Sequence, residues 1–309
     1  MKKKRLISLI LAAACLAGIG GEANAGFFSK KKEEVTLPED LPAKVVLKYH
    51  VEAPGTQEER SDDAVIDYSN VSEGYVMVQY TGASTNPLKA QVAGPETTYT
   101  YTLTPKVWAA FPLSDGDGTY RFTVLEGVGG SKYAVILGTE AEVKLADEFA
   151  PFLRPNQYVN YGEAPKAVAV AAKLAEGKSD TLEIVGLIYN FVIGYLTYDK
   201  EKAETVKTGY LPDLDTAINE KKGICFDYAA LMTGMLRSLN IPCKLVVGYA
   251  GDAYHAWISV WSDKEGWIEK VVYFDGKTWQ RMDPTFASSG GDNSEFIGNG
   301  DNYVAKYFY

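Results

Sequence analysis

Apolar and polar residues alternate with a period of two from about Ala43 to Leu145. The runs Ala64-Val65-Ile66-Asp67-Tyr68 and Tyr75-Val76-Met77-Val78-Gln79-Tyr80 show it most clearly, and Thr97 to Leu103 is dense in β-branched and aromatic residues. Side chains two apart share one face of a strand, so this pattern predicts strands with one buried face. Turn residues separate the runs at the interval of a two-sheet sandwich, and an immunoglobulin-like β-sandwich over residues 44–148 is the expected architecture. Asp115-Gly116-Asp117-Gly118 precedes the run Tyr120–Val124 and reads as a hairpin turn. A calcium loop is the alternative there, although the spacing lacks the glycine of an EF-hand.

The period then changes. Ala164 to Ala175 is alanine-rich and predicts a helix. Asp180 with Glu183 has the form of a capping box, and behind it Val185, Ile188, Tyr189, Val192 and Leu196 recur at helical spacing. Asp213 to Lys221 suits a short helix. Phe226 to Leu239 suits a longer one, with Ala229, Met232, Met235, Leu236 and Leu239 facing inward, and Asn240-Ile241-Pro242 ends it. Strand patterns return over 244–249, 256–261, 267–274 and 278–282, with Asp275-Gly276 turning between the last two. Helices followed by an antiparallel sheet make residues 149–309 an α+β domain.

Residues 1–25 read as a secretory signal: Lys2, Lys3, Lys4 and Arg5, an apolar run from Leu6 to about Ile19, then Ala23-Asn24-Ala25 as the cleavage site. The run is short for a bilayer span, and no later stretch is long and apolar enough for one, so the mature chain is expected to lack a membrane span and to work outside the cytoplasm. Cys15 follows Leu11-Ala12-Ala13-Ala14, which resembles a lipoprotein box with its leucine one place early, so lipid anchoring at Cys15 is the minority alternative. Residues 26–43, charged and punctuated by prolines, are expected to form a flexible tether.

The chain has 309 residues, 46% hydrophobic and 23% charged, with a net charge of −9. Those proportions suit a folded protein of about two domains. Cleavage after Ala25 would leave the mature chain at −12, an acidic balance that argues against broad nucleic-acid binding. Two histidines, His50 and His255, and three cysteines, Cys15, Cys225 and Cys243, are too few for a multi-histidine zinc site or a disulfide scaffold. No cofactor or metal is expected.

Cys225 sits where the loop Lys222-Gly223-Ile224 passes into the long helix. A thiol at a helix start lies among unpaired N–H groups and the positive end of the dipole, which favour the nucleophilic thiolate and can also hold an oxyanion. A buried, unreactive thiol is the alternative. His255 follows Gly251-Asp252-Ala253-Tyr254 and opens a strand, a place from which an imidazole can take up and return a proton, or simply pack. Asp283 ends the next strand, before Pro284, where a carboxylate can orient an imidazole or make a turn. Cys243 is roughly 20 Å along the helix axis from Cys225, too far for a disulfide, and is expected to be buried and inert. His50 is expected to pack or face solvent.

The stretches Gly223-Ile224-Cys225-Phe226-Asp227-Tyr228-Ala229, Tyr254-His255-Ala256-Trp257 and Met282-Asp283-Pro284-Thr285, in this order, resemble the transglutaminase-like superfamily of papain-like cysteine enzymes, as a bacterial secreted member with an added N-terminal β domain. Leu196-Thr197-Tyr198-Asp199 resembles the "YD" ahead of the cysteine in bacterial members. The likeness covers roughly residues 180–290 and implies helices packed on an antiparallel sheet, with Cys225 as nucleophile, His255 as base and acid, and Asp283 as the residue orienting it. Animal members use an upstream aromatic residue near the scissile carbonyl; Tyr189, Tyr195 and Tyr198 are the candidates, with core packing as the alternative. Trp257, with Tyr189 and Tyr198, is a candidate for positioning substrate or oxyanion. Trp257, Trp261, Trp267 and Trp279 line a cleft or fill a core. Asp227 is expected to be structural.

The expected function is therefore an extracytoplasmic cysteine hydrolase or acyltransferase. It acts on protein or peptide amides, cell-wall peptides among them, through a thioester on Cys225. A non-catalytic surface or adhesion protein, with the β domain as its working part, is the alternative. The sequence leaves substrate, acceptor and oligomeric state open.

Overall fold

A computed structural model of the protein describes residues 35–269, 272–274, 279–281 and 303–309. The predicted signal segment, Cys15 and Asp283 lie outside these residues.

The first half is built from strands, with one short 3-10 turn at Val71–Glu73. It comprises β1 (Glu58–Arg60), β2 (Ala64–Asp67), β3 (Tyr75–Tyr80), β4 (Leu88–Ala93), β5 (Thr98–Thr102), β6 (Ala109–Pro112), β7 (Gly118–Gly129) and β8 (Lys132–Val143). They form two four-stranded antiparallel sheets, ordered β1-β2-β3-β6 and β5-β4-β7-β8. Burial alternates as the period of two requires: in β5 the rings of Tyr99 and Tyr101 point inward and the threonines between them outward. The Asp115–Gly118 segment is not a hairpin turn. It carries the chain from β6 in one sheet to β7 in the other, and its carboxylates serve as braces. Asp115 accepts from the Glu96 and Thr97 N–H groups and the Tyr99 hydroxyl, and Asp117 from the Leu145 N–H.

Residues 35–57 run without regular structure, yet Val35, Leu37, Leu41, Val45 and Leu47 pack against the core. The expected tether over 26–43 is therefore held down from residue 35 onward. Its apolar positions were masked in the sequence by the charges and prolines around them. Val35 fits closely over Gly194, where a side-chain Cβ would collide with it.

The second half is mixed. It begins with α1 (Pro165–Leu174), α2 (Thr181–Tyr195), β9 (Thr197–Tyr198), α3 (Lys200–Thr205), α4 (Leu214–Glu220), β10 (Lys222–Gly223) and α5 (Cys225–Ser238). The strands β11 (Cys243–Ala250), β12 (Ala253–Ser262), β13 (Gly266–Glu269), β14 (Val272–Phe274), β15 (Trp279–Arg281) and β16 (Tyr303–Phe308) follow. The main sheet is antiparallel, in the order β13-β12-β11-β16. Asp180 caps α2 as expected, accepting from the Leu182 and Glu183 N–H groups, while Glu183 pairs with Lys178. The single strand expected over 267–274 is described as two, β13 and β14. A short parallel pairing of β9 with β10 was not expected.

Helix α5 is the centre of this half. Every residue from Asp227 to Ser238 is buried, not just one face, because the sheet covers one side and the other helices cover the rest. Arg237, fully buried near its end, donates to three carbonyls: Cys243 at 2.8 Å, Arg154 at 2.8 Å and Tyr309 at 2.6 Å.

The two halves share one continuous core. Tyr101 stacks on Phe111 with centroids 4.2 Å apart and meets Tyr158 and Tyr309, while Tyr99 meets Tyr307 and Tyr309. Aromatic groups of this size dominate the energetics of such a contact. Tyr101→Ala is therefore expected to lower the stability of both halves together by about 3–5 kcal/mol, read as one shifted calorimetric transition. The Tyr101 hydroxyl is buried with no hydrogen-bond partner among the described residues. Tyr101→Phe should accordingly be neutral or stabilising, by about 1 kcal/mol.

Candidate functional site

The site begins with how α5 starts. Its N-cap is Ile224, whose side chain has no oxygen to give to the N–H groups of the first turn. Asp227 at the third helical position supplies the reverse half of a capping box, accepting from the Ile224 N–H at 2.8 Å. Among the described residues, no side chain caps the N–H groups of Cys225 and Phe226, which lie beside the positive end of the dipole. Cys225, the first helical residue, is half-buried and carries a free thiol. Cys243 is also free, but it is fully buried, contacts Thr233 at 3.7 Å, and burial pushes its thiol up to about 12.

Asp227 is 2% exposed, and two further groups hold it. The Tyr210 hydroxyl donates to Oδ1, and the Lys202 ammonium lies 2.9 Å from Oδ2. Lys202 also donates to the Tyr210 oxygen at 2.5 Å. Burial, and then the bond to Asp227, hold the Tyr210 hydroxyl well above its usual range. Lys202 is delivered by α3, which Asp199 caps through the Lys202 N–H. The "YD" stretch therefore has a structural use: Thr197-Tyr198 pairs with Lys222-Gly223 ahead of the cysteine, and Asp199 starts α3. Gly223 is needed because a Cβ there would sit 2.6 Å from the Asp227 Cβ. Gly223→Ala is expected to push Asp227 off the helix start and slow alkylation of Cys225 at least about tenfold, read by timed iodoacetamide labelling.

His255 is the third residue of β12, paired across the sheet with Gly248 of β11, and is buried. Helix α5 packs on both strands. Cys243 touches Thr233 of α5, so the residues of β12 in register with that face, Val260, Ile258, Ala256 and Tyr254, point toward the helix. The Tyr254 hydroxyl lies within electrostatic reach of Cys225. Burial first, then the hydroxyls of Tyr307 and Tyr249 and the thiol, push it up to about 12. Alternation turns the His255 ring to the other side, with Trp257 at 6.4 Å and Tyr303 at 6.4 Å between centroids. Strand β13 joins β12 only from Ser259 onward, so the flank of β12 beside His255 has no neighbouring strand among the described residues.

The remaining sequence candidates fall as follows. Trp257 is buried between His255 and Tyr303. Tyr189 is buried within α2, and Tyr195 stacks on Phe191. Tyr198 lies 6.5 Å from the Tyr228 ring. Trp261 and Trp267 pack with Phe149, and Lys244 lies 3.9 Å over the Trp267 ring, so they belong to packing beneath the sheet. His50 is exposed. A cavity of about 390 Å³ lies between Ser114–Asp117, Glu148, Phe152, Lys244 and Trp267, and neither Cys225 nor His255 lines it. Sequence reading missed Lys202, Tyr210 and Tyr254. Tyr254 adjoins a residue already singled out, whereas nothing in the sequence linked Lys202 or Tyr210 to Asp227.

Residues 168–284 match the family model described as the transglutaminase-like superfamily. A protein-glutamine gamma-glutamyltransferase of Pseudomonas aeruginosa is 28% identical over 120 residues, which cover 34% of this chain and 17% of that relative. The chain thus matches about a sixth of the length of that relative. Among solved structures, a candidate cysteine protease from Cytophaga hutchinsonii is similar with a TM-score of 0.38 at 15% identity, covering 82% of this chain and 73% of the other. A red sea bream transglutaminase is similar with a TM-score of 0.27 at 16% identity, covering 68% and 48%.

Proposed function

We propose, for a chain that belongs to the transglutaminase-like superfamily through residues 168–284, that it is a cysteine-dependent enzyme forming a thioester with protein or peptide amides. The observation that carries this is the placement of Cys225: half-buried, within that stretch, at a helix start where no side chain among the described residues caps the N–H groups of Cys225 and Phe226.

In this reading the Cys225 sulfur, its proton passed to His255, attacks the carbonyl carbon of a glutamine side chain or peptide bond. The N–H groups of Cys225 and Phe226 receive the oxyanion. The C–N bond breaks, and the leaving ammonia or amine takes its proton from His255. Water or a primary amine, deprotonated by the same imidazole, then attacks the thioester, and the C–S bond breaks to release acid or new amide. Asp283 orients the imidazole. In this reading the imidazole would reach the thiol past the flank of β12 that has no neighbouring strand among the described residues. Tyr254, on the helix side, forms the adjoining wall. Tyr189, Tyr198 and Trp257 act behind this surface by holding the helix and the imidazole in place.

Residues 44–148 form an immunoglobulin-like β-sandwich that is packed onto the catalytic half as part of one unit. The segment 1–25 exports the chain, so the substrates are extracytoplasmic, with wall peptides among them.

Glutamine-containing peptides incubated with the protein, with and without a primary amine, and read by mass spectrometry test the proposal. Deamidation or cleavage identifies a hydrolase, and amine incorporation a transglutaminase. Absence of both across a broad peptide set would overturn the enzymatic reading in favour of a binding protein.

A further inference from the structure

A buried carboxylate beside a helix start opposes a second anion forming there, and Asp227 lies two residues from the proposed nucleophile. Its ion pair with Lys202 cancels that charge, while Tyr210 bonds both partners and Lys202 lies 4.3 Å over the Tyr210 ring. The three come from separate places in the chain: α3, the loop before α4, and α5. A brace for the helix N-terminus would need only the Ile224 N–H and an acceptor. The ammonium is surplus to that task, yet it is brought to a carboxylate that is almost wholly buried.

We infer that Lys202 is a positioning residue that sets the reactivity of Cys225 through Asp227: it neutralises the buried carboxylate, so that the acid can shape the helix start without suppressing the thiolate. The inference rests on the nucleophilic reading of Cys225 given above. The charged and titratable groups that the described residues bring to this helix start include Asp227 on α5, Lys202 on α3, Tyr210 before α4, Tyr254 on β12, and the Asp199–Lys222 pair at β10. Of these, Lys202 is the cation in contact with Asp227.

The test is the rate of iodoacetamide labelling at Cys225 across pH, in the full chain, with folding checked by circular dichroism. Lys202→Met should slow labelling about tenfold at pH 7 and move the profile about one unit toward higher pH, the effect of one uncompensated charge near the thiol. Lys202→Arg should keep the wild-type profile. Asp227→Asn retains an acceptor for the Ile224 N–H and leaves Lys202 unopposed, so its profile should move toward lower pH. The double variant should return near wild type.

A purely structural brace predicts something different: both single variants lose rate, with no opposed shifts. Unmoved profiles in folded Lys202→Met, or shifts of the same sign in both single variants, would overturn the inference. If Asp227→Asn does not fold, the contrast of Lys202→Met with Lys202→Arg decides. The profile reads charge balance whether or not substrate turns over. A Lys202-sensitive profile without any product from glutamine peptides would therefore sink the enzymatic reading alone.

Discussion

Arg237→Met is expected to lower stability by about 3–5 kcal/mol. The guanidinium is fully buried and spends its donors on the carbonyls of Cys243, Arg154 and Tyr309. It thereby ties α5 to the start of β11, to the turn after the β domain, and to the end of β16. Methionine fills similar space but takes a donor from each carbonyl; the Tyr309 oxygen keeps the Leu245 N–H at 2.9 Å, while the Cys243 and Arg154 carbonyls lose theirs at about 1–3 kcal/mol each, less any relief from water entry. Burial pulls the guanidinium down to about 10, so it stays charged at neutral pH, and the clamp should not weaken between pH 5 and about 9. Urea unfolding of wild type and variant at pH 7 checks the size of the effect. A loss under about 1 kcal/mol would mean that the three bonds are not held in solution.

Cys225→Ala is expected to lower turnover of a glutamine peptide by at least about 10⁴-fold with little change in stability. Residues that act as one catalytic unit lose most of their effect when any one is removed, so Cys225→Ala with His255→Ala should be hardly worse than either alone. Cys243→Ala makes the control. Its thiol is buried and pushed up to about 12, so its loss should cost packing and not turnover. Activity that survives Cys225→Ala but falls in Cys243→Ala would reverse the assignment.

Elements with strong periodicity were legible in the sequence. The strands at 64–67 and 75–80, and helices α1, α2, α4 and α5, lie within a few residues of their expected places, because burial of one face imprints its period on the chain. Elements held by distant partners were not legible. Strand β16 lies 53 residues beyond the β11 end it pairs with, and the 35–47 segment is fixed by surfaces far along the chain. The Asp115–Gly118 turn had the residues of a hairpin, but strand order decided its role, and strand order is a long-range property. The helix onset at Cys225 was readable because it is local: a loop glycine, then amphipathic spacing. The charge that balances Asp227 comes from 25 residues upstream and left no local trace.

Activation of a Cys225 nucleophile by His255 is tested by the rate of iodoacetamide labelling, located by peptide mapping, in wild type and His255→Ala at pH 7. Such activation predicts fast labelling at Cys225, none at Cys243 in the folded protein, and a fall of about 100-fold in His255→Ala. Equal rates at Cys225 in the two folded proteins would contradict it.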